Sequence, residues 1–113
     1  MIKIYHNPRC KKSRAGLAYL EEKTSEFQII KYLNDPLSAT RLEKIIAKTG
    51  KNPEQLIRKQ EVYYKDNLKG KSLTEKEILD HMAAHPKLIA RPIVETDNKA
   101  VLADPPEEID KII

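Results

Sequence analysis

The sequence predicts an α/β fold: a mixed four-stranded sheet carrying helices, with a helical insertion between its two halves. Two β-rich segments, residues 1–5 and 27–33, bracket a stretch of helical periodicity. The middle of the chain, from Ser38 to His85, shows helical spacing and helix-cap signals. The last third returns to strand chemistry in two short runs around a polar turn. At 113 residues the chain suits one domain spanning 1–113, large enough for a core that needs neither a disulfide nor a structural metal.

Each element has a local reason. In the first segment Ile2, Ile4 and Tyr5 are β-formers set around a lysine, and Asn7-Pro8 ends the strand. Residues 13–22 place Ala15, Leu17, Ala18 and Leu20 on an apolar helical face. FQIIKYL at 27–33 is a second strand, closed by Asn34-Asp35-Pro36. A strand–helix–strand order this compact implies a parallel pair joined by a right-handed crossover.

Ser38 is a natural N-cap for a helix running to Lys48, with Leu42, Ile45 and Ile46 inward and Gly50 as its stop. Asn52-Pro53 opens a short helix carrying Leu56 and Ile57. A further short helix surrounds Val62, Tyr63 and Leu68. Thr74 and Glu77 form a capping box ahead of Ile78, Leu79 and Met82, and His85-Pro86 ends that helix. Residues 91–95 and 100–102 are the strands of a hairpin turning at Asp97-Asn98, and Pro105-Pro106 opens a final helix through 113. The order β-α-β, helical middle, β-β-α matches a thioredoxin-like sheet with a helical insertion.

Composition narrows the function classes. The net charge is +4, but lysines are interleaved with acids and form no basic block with aromatic partners, so nucleic-acid binding is not expected. No apolar run is long enough to span a membrane, and MIKIYHNP turns polar too early for a signal peptide. The single cysteine rules out an internal disulfide and a multi-cysteine zinc site, and the three histidines lack ligand-like company, so no metal is expected. A lone thiol fits a reducing, cytoplasmic setting.

That cysteine, Cys10, falls between a strand end and a helix start. A free thiol with a pKa near about 8.5 is only slightly ionised at neutral pH, and thiolate is the nucleophile. A helix N-terminus supplies unpaired N–H groups and partial positive charge, which favour the anion and also form an oxyanion site. Pro8, Arg9, Lys11, Lys12 and Ser13 are poor core companions, so a reactive Cys10 is expected rather than an inert one. Arg9, Lys11, Lys12 and Arg14 surround it in sequence, though not all of them can point inward. Cys-Lys-Lys-Ser has Ser13 where a dithiol motif carries a second cysteine; serine can hydrogen-bond a thiolate but cannot resolve an adduct. With no other cysteine in the chain, any catalytic cycle must draw electrons from an external thiol.

IYHNPRCKKSR at 4–14, YLNDP at 32–36, LIRKQ at 56–60, HPKLIARPIV at 85–94 and PPEEI at 105–109 together resemble the glutaredoxin-linked arsenate reductase (ArsC) family of the thioredoxin-like ArsC/Spx superfamily. The resemblance covers essentially the whole chain. It implies that Cys10 attacks arsenate and that Arg58 and Arg91 bind the oxyanion. It implies that His6 helps to depress the cysteine pKa and that Pro92 is a cis-proline facing the site. Asn7, Ser13 and Arg14 stand as supporting residues of the same motif. The resemblance also implies glutathione and glutaredoxin as external reductants, with no bound cofactor. Arginine's planar fork of donors suits a tetrahedral oxyanion.

One position departs from the family pattern. Asp104 stands where the family carries a third arginine, just before the final helix. An acid there repels an oxyanion, so another cation such as Lys99 substitutes, or Asp104 points away, or the substrate is not arsenate. Two other readings remain open on the sequence: a monothiol oxidoreductase acting on other oxidised partners, and an Spx-like regulator of transcription. The second reading sits poorly with Ser13, because that class commonly carries a Cys-x-x-Cys switch.

Overall fold

The computed structural model describes residues 1–113. The chain divides into two compact units, one formed by 1–35 with 91–113 and one formed by 36–90.

The first unit is a four-stranded sheet in the order β2-β1-β3-β4, built from β1 (Ile2–Tyr5), β2 (Phe27–Ile30), β3 (Ile93–Glu95) and β4 (Ala100–Leu102). Helix α1 (Lys11–Lys23) connects the parallel pair β1 and β2, while β3 runs antiparallel to both β1 and β4. Side chains alternate across a strand, so Ile4 and Val94 share one face. There they meet Leu20 of α1 and Ala103 and Ile109 near the C-terminus, all fully buried. On the other face the Tyr5 hydroxyl donates to Glu95 Oε1 at 2.6 Å, giving a buried carboxylate a partner.

The second unit packs α2 (Ala39–Thr49) against α4 (Glu75–Ala84), with α3 (Val62–Asn67) and short 3-10 turns at Pro53–Leu56 and Pro86–Leu88. Ser38 caps α2 by accepting from the Arg41 N–H, and Gly50 ends it at φ 73°, a left-handed conformation glycine adopts without a Cβ penalty. Both hydrogen bonds of the Thr74–Glu77 capping box are present. Tyr63 donates to or accepts from His81 Nδ1 at 2.9 Å and stacks on His85 at 3.7 Å, so these two histidines serve packing between α3 and the end of α4. No helix is long and apolar enough to cross a membrane.

Several boundaries differ from the sequence reading. Strand β2 stops at Ile30, three residues early, because the N–H groups of Asn34 and Asp35 both turn back to the Lys31 carbonyl. Strand β3 starts at Ile93 because the preceding Pro92 has no N–H for the ladder. Ile57 is not helical: it bridges Ile89, flanked by Arg58 N–H to Leu88 O at 2.7 Å and Ala90 N–H to Leu56 O at 2.9 Å. The final helix is a 3-10 segment, Pro106–Lys111, short of residue 113.

Candidate active site

The site grows out of the link between β1 and α1. Asn7-Pro8-Arg9-Cys10 forms a β-turn in which the Cys10 N–H donates to the Asn7 carbonyl at 3.0 Å. Asparagine at its first position and proline at its second suit such a turn. The Asn7 side-chain oxygen tightens it by accepting from the Arg9 N–H at 3.0 Å. The Arg14 guanidinium reaches back to the Pro8 carbonyl at 3.0 Å, so Arg14 braces the loop. Cys10 emerges at the N-cap of α1 in an extended conformation, and the Arg14 N–H donates to its carbonyl at 3.0 Å.

No side chain caps α1 with an ordinary hydrogen bond, and its first turn contains no acid. The N–H groups of Ser13 and Lys12 in that first turn favour the anionic form of the Cys10 sulfur at the N-cap. Arg91, brought in ahead of β3 from another part of the chain, favours the sulfur's anion through its side chain and its charge. Burial alone pushes the thiol pKa up. The Ser13 N–H, the Arg91 side chain and the Lys12 N–H, together with the Arg91 charge, outweigh it and hold the pKa below its ordinary value. Cys10 remains partly exposed, so a solute can reach it.

Behind the loop lies a buried polar knot. His6 Nδ1 is hydrogen-bonded to Ser13 Oγ at 2.8 Å, and the Asn7 N–H donates to the same oxygen at 2.9 Å. A serine hydroxyl can hydrogen-bond a thiolate, but that of Ser13 is engaged elsewhere. It is fully buried and committed to His6 and Asn7, and it is the Ser13 backbone N–H that favours the thiolate. Burial lowers the His6 pKa, as do the charges of Lys31 and Arg14, against the opposing effects of the Ser13 bond and Glu21. The ring of His6 contacts Ser13, in the first turn of the helix that Cys10 opens.

Pro92 follows Arg91 through a cis peptide bond, and Asp104–Pro105 is a second cis bond that nothing in the sequence reading foresaw. Asp104 pairs with Lys12 Nζ at 3.0 Å. Lys12, not Lys99, is therefore the cation that faces this acid. Arg58 belongs to the helical unit, where its Nε donates to Glu61 Oε2 at 3.2 Å. The Asn52–Gln55 capping box was overlooked in sequence, although Asn-x-x-Gln before an apolar pair is a visible signal.

A four-stranded mixed sheet with a cysteine at the start of its first helix and a cis-proline before its third strand defines a thioredoxin-like protein. The ArsC family model matches residues 5–112, and the chain belongs to the ArsC family. It is 38% identical to an arsenate reductase of Neisseria meningitidis, covering 99% of this chain and 97% of that protein. It is also 40% identical to YfgD of Escherichia coli (strain K12), described as uncharacterized, over 99% of this chain and 96% of that one. A solved arsenate reductase structure from Vibrio cholerae superposes with a TM-score of 0.93 at 39% identity, covering 99% of this chain and 97% of the other.

Proposed function

We propose that this protein reduces arsenate to arsenite through Cys10. The observation that carries the proposal is a partly exposed cysteine at the N-cap of α1, where no side chain caps the helix and no acid stands in its first turn, with the helix N–H groups and Arg91 favouring its anion. The same donors that favour thiolate favour a bound oxyanion and the charge that develops on it. ArsC membership and the arsenate reductases among its relatives support the choice of arsenic.

The Cys10 thiolate attacks arsenic and forms an S–As bond, and one arsenate oxygen leaves as water. Two molecules of external thiol then give two electrons to arsenic and depart joined as a disulfide, with a second oxygen leaving as water. Water cleaves the S–As(III) bond, releasing arsenite and restoring the thiol. Cys10 is the only cysteine, so the reducing thiols come from outside; glutathione with glutaredoxin in the cytoplasm fits that need, and no bound cofactor enters the cycle. Arg91 and the N–H groups hold the anion. For Arg58 the support is its place in the LIRKQ motif.

A coupled assay of arsenate reduction with glutathione and glutaredoxin tests this. Activity is expected in the wild type and absent in Cys10→Ser; equal rates in the two overturn the proposal. A second reading, monothiol reduction of other oxidised partners, is favoured by one observation: Asp104, paired to Lys12, puts an acid where the family resemblance expects an arginine. Mixed disulfides trapped on Cys10 in cells, with no arsenate turnover, would select it.

A further inference from the structure

Gly16 is buried in the interior of α1, on the same face as Ser13 and Leu20. Its backbone is ordinary for a helix, with no positive φ to require glycine. Glycine there weakens the helix relative to alanine. The reason for it is space. A Cβ at position 16 would sit 2.4 Å from Pro92 Cγ, 3.4 Å from Pro92 Cδ and 3.6 Å from Ala103 Cβ.

The neighbour has only its ring pucker to give, not the swing of a flexible side chain. Pro92 is a closed ring and buried, and its carbonyl accepts the Ala103 N–H at 2.9 Å. Ala103 is itself fully buried. Reaching ordinary van der Waals distance, near 3.4 Å, therefore means moving α1 and the Pro92 segment apart by about 1 Å.

That seam joins the two sources of donors to the sulfur. Ser13, one turn before Gly16 on the same helix face, brings an N–H, and Arg91, the residue before Pro92, brings the guanidinium. Hydrogen bonds weaken steeply over about an ångström, so the distance across the seam governs whether both reach the sulfur together. We propose that Gly16 is a positioning residue: its missing Cβ lets Pro92 seat against α1 and thereby sets Arg91 beside Cys10. The inference rests on the reading of Cys10 as the nucleophile.

The test is the pH profile of Cys10 alkylation by iodoacetamide in the full chain, with a thermal midpoint recorded for each variant. Gly16→Ala is expected to slow alkylation about five- to tenfold at about pH 6 and to move the profile to higher pH. In an Arg91→Ala background the same substitution is expected to change the rate by less than about twofold, because the group it positions is gone. A folded Gly16→Ala protein with the wild-type profile overturns the proposal. So does an equal slowing in both backgrounds, which would mark a general structural effect. If Gly16→Ala does not fold, Ala103→Ser adds one atom to the same seam; it is expected to move the profile in the same direction, and an unmoved profile overturns the proposal. A wild-type thiol that titrates like free cysteine would instead sink the nucleophile reading itself, and the two failures are told apart by which protein shows them.

Discussion

Helices α1 and α4 begin in opposite ways. At α4, Thr74 Oγ1 accepts the Glu77 N–H at 3.1 Å and Glu77 Oε1 accepts the Thr74 N–H at 2.9 Å, with Glu75 beside them. The Thr74 backbone and hydroxyl bonds hold the Glu77 carboxyl below the usual carboxylate range. Acid, cap and dipole all agree there. At α1 the first turn holds Lys11 and Lys12, no acid and no ordinary cap, with Cys10 at the N-cap. Cations at a helix N-terminus oppose the dipole. One helix start is thus finished for stability, and the other is left short of negative charge until a sulfur or a bound anion supplies it.

The contrast can be broken from either side. The largest effect is expected from Arg91→Ala, which removes a charged donor from the sulfur: alkylation of Cys10 near neutral pH should fall about tenfold while α4 is untouched. Lys11→Glu gives α1 the acid that α4 already has. It should stabilise the fold by about 0.3–1 kcal/mol in urea unfolding while slowing Cys10 several-fold, so stability and reactivity move in opposite directions. Thr74→Ala is the reverse control, costing about 1 kcal/mol in the same unfolding experiment with no change in the Cys10 pH profile. The smallest effect is expected from Asp104→Asn, which frees Lys12 from a half-exposed pair. Stability should change by less than about 1 kcal/mol, and sulfate should protect Cys10 from alkylation slightly better than in the wild type.

The buried knot adds a pH dependence with a definite sign. The folded-state pKa of His6 lies below its value in the unfolded chain, so the unfolded state takes up the proton more readily. The stability His6 supports is fully present above its ordinary pKa of about 6.5 and is lost as pH falls through the lowered folded value. Cys10 acts in the same sense at higher pH: its thiolate stabilises the folded state above the ordinary thiol pKa, and that gain fades as pH falls. Urea midpoints should therefore drop as the pH is taken below about 6.5, and Ser13→Ala, which removes the His6 partner, should alter that slope.

Local chemistry was legible in the sequence wherever a short motif decides the structure. HNPRC announced a turn that delivers Cys10 to a helix start, and Ser38, Gly50 and Thr74–Glu77 marked helix ends that the structure places within a residue of expectation. The resemblance adds what no local rule can, Arg58 and Arg91 as oxyanion binders drawn from distant parts of the chain. What stayed hidden depends on which elements touch. The Ser13 hydroxyl could have faced the sulfur or the sheet, and only the packing of α1 commits it to His6 and Asn7. Gly16 is unremarked in a helical stretch until Pro92 is seen against it. The acid at 104 conflicts with an anion site until Lys12 is seen beside it. Strand β2 stops early because the Lys31 carbonyl accepts the N–H groups of Asn34 and Asp35, which an apolar run does not reveal.

The central claim is that Cys10 is kept ionised by the start of α1 and by Arg91. Titrating the thiolate through its ultraviolet absorbance, in the wild type and in Arg91→Ala, measures this directly. The wild-type pKa is expected below that of a free cysteine, and the variant's above the wild type's. A wild-type value at or above that of the free thiol, unchanged in Arg91→Ala, would contradict the account.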